Sequence, residues 1–294
     1  MLWKFLIIGL ALGGLAVADA PQAAVRRTIV VDGVSRTYLL YRPADQTDAA
    51  KPRPLVVMLH GAFGSGEQAE RACHWDAMAD RGGFVVVYPD GIGRTWNAGG
   101  ACCGRAHRDG VNDVGFLDRL IESVVKDEAI DPAHIYMTGM SNGGAMTYRY
   151  ACEGRTKLAA IGPVASSFTY ACLQVPALPV MAFHGLDDRT VPFAGGAGRR
   201  GRDLIWQPVE TSLALFRAAD HCSAPTSNSV AEVTTATAVC DKGLKVVLIT
   251  VAGAGHQWPG SARESGLFPL LLRLDPPSTS VDATQHLWTF FHSY

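Results

Sequence analysis

The sequence predicts an α/β fold, a mostly parallel central sheet with helices on both faces. Two observations carry this. Residues 55–59 and 84–88 are unbroken apolar runs (Leu-Val-Val-Met-Leu and Phe-Val-Val-Val-Tyr), the pattern of strands buried on both sides. Segments of helical period alternate with such runs; Phe116, Leu117, Leu120, Ile121, Val124 and Val125 fall along one side of a helix. Strand–helix alternation of this kind closes into a parallel sheet.

The elements follow in order. Residues 25–31 and 35–41 are β-branched and aromatic, and Asp32-Gly33 between them predicts a hairpin. Strand 55–59 leads into a helical stretch over 66–81 and then strand 84–88. The helix carrying Phe116 to Val125 is expected to stop at Asp131-Pro132. A short strand at 135–138 meets a glycine-rich turn and a helix from Gly144. Strand 179–183, helix 209–219 and strand 245–251 come next. Asp282, three residues ahead of Gln285, caps a last helix with Leu287, Phe290 and Phe291 on one side. No internal repeat or Pro/Thr-rich linker interrupts this series, so one domain over residues 25–294 is expected.

Residues 1–18 read as a signal peptide. Lys4 precedes an uncharged run over 5–18, too short to span a bilayer comfortably, and small residues follow. Cleavage is expected after Ala18, or after Ala20, where Pro21 would follow the cut. The protein is therefore expected outside the cytoplasm, secreted or periplasmic, without stable membrane association once the leader is removed. Hydrophobic residues make up 48% and charged residues 18% of the chain, and the net charge is −1. That balance provides no basic stripe for nucleic acid. Seven cysteines in an exported chain imply disulfides with one thiol left over. Cys222 and Cys240 bracket a polar stretch and read as a stapled loop, Cys152 and Cys172 as a second bridge, and Cys73 with Cys102 or Cys103 as a third. No C-x-x-C pair or H-E-x-x-H motif occurs, so no metal is expected.

Chemistry concentrates in Gly139-Met140-Ser141-Asn142-Gly143. Strand, tight turn with Ser at its tip, then helix is the setting of a nucleophile elbow. Gly139 and Gly143 supply neighbours without bulk. A Ser hydroxyl needs a base and the base an orienting carboxylate. His256, among glycines after strand 245–251, and Asp187 or Asp188, after strand 179–183, stand where a parallel sheet places such groups; spacing leaves the two aspartates open. Of the other histidines, His60 and His184 each precede a Gly at a strand end and read as loop braces. The backbone N–H groups of Asn142 and Ala62 are the expected oxyanion donors.

His60-Gly61, Tyr88-Pro89-Asp90-Gly91, Trp96-Asn97-Ala98-Gly99 with Cys102-Cys103-Gly104, Asn112-Asp113-Val114-Gly115-Phe116, the elbow, His184-Gly185 with Asp188 and Val191-Pro192, and Gly255-His256-Gln257-Trp258-Pro259-Gly260 stand in one order. In this the chain resembles secreted esterases of the polyhydroxybutyrate depolymerase family, related to feruloyl and acetylxylan esterases. The resemblance runs from about Ser35 to the C-terminus. It implies an α/β-hydrolase fold and Ser141, Asp188 and His256 as the triad. Asn112 departs from the family pattern, which has Asp there. Phe63, Trp96 and Trp258 are candidates for the substrate pocket; the loop 195–202, rich in Gly and Arg, reads as solvated, with contact to an anionic substrate as the alternative. The expected activity is a cofactor-free serine carboxylic-ester hydrolase. Its expected substrates are feruloyl or acetyl esters of plant polysaccharide, or 3-hydroxybutyrate oligomers. A polyhydroxybutyrate depolymerase proper is the alternative. A secreted peptidase or a non-catalytic binding protein are the rivals of other classes. Nothing in the sequence gives the oligomeric state.

Overall fold

In the computed structural model, residues 23–43, 51–199, 204–262 and 275–294 are described; the expected leader over 1–18 and Arg200 to Arg202 of the Arg-rich loop lie outside them. The predicted hairpin is present as β1 (Val25–Val31) and β2 (Val34–Tyr41), and Asp32 and Gly33 both take positive φ, 51° and 74°, as a primed two-residue turn requires. β3 (Arg53–Leu59), β4 (Val85–Pro89), β5 (Ile130–Met140), β6 (Ala160–Val164), β7 (Val180–Gly185), β10 (Thr226–Val230), β11 (Val233–Val239) and β12 (Lys245–Val251) join them in one ten-stranded sheet of order β1-β2-β4-β3-β5-β6-β7-β12-β11-β10. The six central strands from β4 to β12 are parallel, and antiparallel strands flank them on both edges. β8 (Gly196–Ala197) and β9 (Ile205–Trp206) form a separate two-stranded pair.

β3 shows why its apolar run is unbroken. Leu55, Val57 and Leu59 point into a core that includes Phe116, Leu120, Met146 and Phe216. Val56 and Met58 point into the opposite core, with Trp75, Phe84, Leu287 and Phe291. The first core is roofed by α4 (Asp113–Asp127), α5 (Asn142–Glu153) and α6 (Val209–Ala219). The second is roofed by α1 (Gly66–Cys73), α2 (Trp75–Gly82) and α7 (Ala283–Phe291). Each large side chain buried this way contributes about 1.5–3 kcal/mol. A short helix, α3 (Gly104–Arg108), lies in the loop after β4. From β3 the chain crosses to β4 on one side, and from β5 to β6 on the other. The ends of β3 and β5 therefore open a crevice where the winding reverses, the usual ligand site of such sheets.

Several boundaries differ from expectation. The helical stretch 66–81 is two helices, broken at His74, which takes φ 57°. α4 ends at Asp127, and Pro132 lies inside β5, not at a helix terminus. β6 was not foreseen because Gly162-Pro163 interrupts it. A Cβ on Gly162 would come within 2.5 Å of Leu287, so close packing of α7 explains the glycine. The polar stretch between Cys222 and Cys240 is the hairpin β10–β11, its strand character resting on β-branched Thr.

Cys152–Cys172 and Cys222–Cys240 are bonded as expected, each closing a loop worth about 3 kcal/mol. The third pairing is corrected: Cys102 bonds to Cys103, and Cys73 is a buried thiol outside the disulfides. Cys73 ends α1 in one core and Cys102 belongs to the other, so the sheet stands between them. Among the described residues no helix is long and apolar enough to cross a membrane.

α2 carries one unusual group. Asp76 is half-buried, accepts the Tyr88 hydroxyl and lies near the negative charges of Glu70 and Asp80. Burial pushes it up to about 7, the Tyr88 bond opposes that, and the neighbouring carboxylates add to it. A carboxyl raised in the folded state keeps a proton that the unfolded chain has lost, so stability falls as pH rises from about 4 to about 7. The shift alone amounts to roughly 4 kcal/mol, which solvent screening at a half-buried site reduces to about 1–2 kcal/mol. Asp76→Asn, which keeps an acceptor for Tyr88, should raise Tm at pH 8 by about 2–6 °C and not at pH 4. Thermal melts at the two pH values check this; equal shifts at both would contradict it.

Candidate active site

β5 ends at Met140 and α5 begins at Asn142, which leaves Ser141 alone on the turn with φ 57° and ψ −119°. Such a conformation costs on the order of 1–3 kcal/mol and persists only where the surroundings hold it. Here the Ser141 N–H donates to Val164 O at 2.9 Å, and Ser141 O receives the Ala145 N–H at 2.8 Å. The turn also requires absent side chains. A Cβ on Gly143 would lie 2.4 Å from Leu59 O, and one on Gly139 would lie 2.6 Å from the Gly143 carbonyl. Both predicted roles for these glycines are therefore met by contact.

The structure brings Ser141, His256 and Asp188 together from three loops at the C-terminal ends of β5, β12 and β7. His256 Nε2 is 2.8 Å from Ser141 Oγ, and His256 Nδ1 is 2.7 Å from Asp188 Oδ2. An ionised carboxylate only accepts, so Nδ1 carries the proton and Nε2 is left to accept from the hydroxyl. Asp188 Oδ1 is occupied by the N–H groups of Thr190 and Val191, both at 2.8 Å. Burial alone would raise this carboxyl. The His256 hydrogen bond and charge, with His184 and the Val191 amide, outweigh it and hold Asp188 below the ordinary carboxylate range. Asp187, the alternative that spacing left open, points to solvent.

Both brace histidines are buried and serve loops. His60 Nε2 accepts the Gly91 N–H at 3.0 Å, so Nδ1 donates to Gly61 O at 2.7 Å; burial lowers its pKa to about 4. His184 Nε2 donates to Val191 O at 2.8 Å and lies 3.5 Å from Asp188 Oδ2, with its pKa lowered by burial. The loop that His60 steadies passes close to the nucleophile: a Cβ on Gly61 would lie 3.6 Å from Ser141 Cβ. Ala62 follows, and its N–H, like that of Asn142 at the first turn of α5, has no hydrogen-bond partner among the described residues. The Asn142 amide stands at a helix N-terminus, where backbone N–H groups favour negative charge.

The Asn142 side chain was not singled out in the sequence, yet it is the best-tied group at the elbow. Its Oδ1 accepts the Trp96 N–H at 2.7 Å, and its Nδ2 donates to Trp96 O at 2.9 Å and reaches Cys102 Sγ at 3.4 Å. Trp96 is in turn fully buried, and its indole N–H donates to His60 O at 2.9 Å. The expectation that Trp96 lines the substrate pocket is corrected: it joins the two amide-bearing loops from inside. Trp258 is corrected likewise. It is buried against Trp75 in the core beneath α7, its N–H donating to Thr284 Oγ1. Phe63 is 48% exposed with φ 67° and alone of the three can meet a ligand without rearrangement.

Asn112, the departure from the family pattern, caps α4: its Oδ1 accepts the Gly115 N–H at 2.9 Å. Asn and Asp cap helices about equally well, so the substitution leaves the loop in place. The buried charge belongs to Asp113. Within the Arg-rich loop, Gly196 and Ala197 pair with β9 and Arg199 makes an ion pair with Asp275 at 3.7 Å, so this part is tied down. Asp275 also accepts the His256 N–H at 2.8 Å. No motif surrounds Asp275 in the sequence, and nothing there marked it.

Comparison with known proteins places the chain among esterases. The chain is 32% identical over 275 residues to a putative esterase, NocK, of Nocardia uniformis subsp. tsuyamanensis, covering 86% of this chain and 77% of that protein. It is 28% identical over 221 residues to feruloyl esterase B of Piromyces equi, covering 70% of this chain but only 40% of that one. Among solved structures, the acetyl xylan esterase from Aspergillus awamori superposes with a TM-score of 0.56 at 14% identity, over 79% of this chain and 94% of that one. At that identity the likeness is one of fold, the α/β-hydrolase fold. Residues 36–195, which carry the elbow and Asp188, match the family described as esterase PHB depolymerase, and the chain belongs to that family.

Proposed function

We propose that the protein is an exported serine carboxylic-ester hydrolase working through an acyl-enzyme. The observation that carries this is the continuous hydrogen-bonded line Ser141–His256–Asp188, closed on its far side by the two Asp188 amide bonds. His256 Nε2 takes the Ser141 proton as Oγ attacks the ester carbonyl. The Ala62 and Asn142 amides receive the oxyanion, each worth about 3–4 kcal/mol in the transition state. The imidazolium, stabilised by Asp188, returns its proton to the leaving alcohol. Water then attacks the acyl group, giving its proton to the same nitrogen, and Ser141 is regenerated with release of the acid. The nucleophile, base, orienting carboxylate and oxyanion donors of this reading are all the chain's own, and it calls for no cofactor. Export is supported by the leader-like residues 1–18 and by the paired cysteines.

Feruloyl or acetyl esters of plant polysaccharide are the substrates proposed first, and 3-hydroxybutyrate oligomers next, with the insoluble polyester as the alternative. The names of the relatives support the former. A fluorophosphonate probe should label the protein once, with the adduct mapping to the peptide that contains Ser141. Labelling at another residue, or none, would contradict the mechanism. Assays on methyl ferulate, acetylated xylan and a polyhydroxybutyrate emulsion side by side then rank the substrates, and fastest turnover of the emulsion would favour the alternative.

A further inference from the structure

His256 stands on a loop that glycine makes pliable. Gly253 takes φ 73°, and Gly255 precedes the histidine directly. The ring is held at both nitrogens, but its backbone needs a hold of its own, and that comes from a distant residue. Asp275 Oδ2 accepts the His256 N–H at 2.8 Å. Its carboxyl fills the space beside Gly255, where a Cβ would lie 2.5 Å from Asp275 Cγ. The same oxygen is 3.7 Å from Arg199 Nη2, and the Arg199 N–H donates to Arg189 O at 2.7 Å, one residue beyond Asp188. Directly between the two loops, the Asp187 N–H donates to Ala254 O at 2.9 Å. One carboxylate thus ties the loop bearing His256 to the loop bearing Asp188.

We propose that Asp275 is a positioning residue of the esterase, holding the backbone of His256 so that Nε2 stays within reach of the Ser141 hydroxyl. The proposal rests on the reading of His256 as the general base. Proton transfer is sensitive to placement: a misplacement of about 1 Å can cost on the order of 100-fold in rate. Ester binding uses other atoms, so the effect belongs in kcat.

Four variants test it, with kcat and KM on p-nitrophenyl butyrate normalised to sites titrated by a fluorophosphonate, and with Tm recorded. Asp275→Ala should lose ten- to hundred-fold in kcat with KM within about two-fold of wild type. Asp275→Asn, whose side-chain oxygen can accept the same N–H, should recover kcat to within about three-fold of wild type. Gly255→Ala, which displaces the carboxyl by bulk and leaves its charge, should fall with Asp275→Ala; it also serves if the latter does not fold. A kcat for Asp275→Ala above half of wild type overturns the proposal. So does an Asn variant no better than Ala, or a loss confined to KM. His256→Ala separates the two readings. If it is inactive while Asp275→Ala is not, positioning alone fails. If it keeps wild-type activity, the base assignment fails and the proposal with it.

Discussion

Asparagine at position 188 is expected to reduce kcat by about ten-thousand-fold while leaving the fold intact, an effect exceeded only by Ser141→Ala and His256→Ala, each of which should remove about a million-fold. The reason lies in which oxygen of Asp188 does what. Oδ1 takes two backbone N–H groups, from Thr190 and Val191, and Oδ2 takes His256 Nδ1–H. An Asn side chain has one oxygen, and two fixed amides claim it. Its NH2 group must then face His256 Nδ1, which becomes the acceptor and drives the ring proton to Nε2. That nitrogen now donates where it should accept, and the Ser141 hydroxyl loses its base. The variant should keep its Tm within a few degrees, because the amide satisfies the same partners. Steady-state kinetics with pure protein check the prediction. A loss of less than about a hundred-fold would mean that the carboxylate is not what sets the histidine tautomer.

Part of this site is legible in the sequence, and the reason differs residue by residue. Ser141 and His256 sit among glycines whose absence of side chains is itself the signal: Gly139 and Gly143 are demanded by contacts of 2.4–2.6 Å. Asp187 and Asp188 are adjacent and chemically identical, so local pattern cannot say which faces the imidazole; only the family resemblance separated them. Trp96 and Trp258 read as pocket walls because both flank site motifs. A tryptophan beside a motif has the same sequence whether it faces the cleft or the core. The difference lies in where its N–H goes, here to His60 O and Thr284 Oγ1 inside the protein. Strands buried on both faces are conspicuous as unbroken apolar runs, which is why β3, β4, β7 and β12 were legible. β6 is equally central but carries Gly162-Pro163, and β11 is carried by Thr. Asp275 acts on the site across 19 positions of sequence, and a contact at that separation leaves no periodic trace.

Asp113→Ala is expected to destabilise the protein by about 3–5 kcal/mol, the largest stability effect of any single change considered, because it breaks a buried ion pair from one side. Asp113 is fully buried and its Oδ1 accepts from Arg36 Nη2 at 2.7 Å. Arg36 is itself 4% exposed, lies 3.7 Å over the Phe116 ring, and its Nε has no partner among the described residues. Without Asp113 a guanidinium would remain in the core with only the Asp90 carbonyl, 3.3 Å away, and an aromatic face. Removing both charges is different. Arg36→Met with Asp113→Leu leaves no uncompensated ion and should be markedly more stable than either single variant. Activity should not follow stability in the double variant. Asp113 Oδ2 also accepts the Asn97 N–H at 2.8 Å, fixing the residue next to Trp96, whose backbone N–H and carbonyl clamp Asn142. Loss of that acceptor loosens the loop behind one proposed oxyanion amide, so kcat in the double variant should stay at least ten-fold below wild type at full folding. Denaturant midpoints and kcat measured on the same three preparations decide it. If kcat returns together with stability, the pair is a structural support alone, and the path from Arg36 through Asp113 and Asn97 to Asn142 has no part in catalysis.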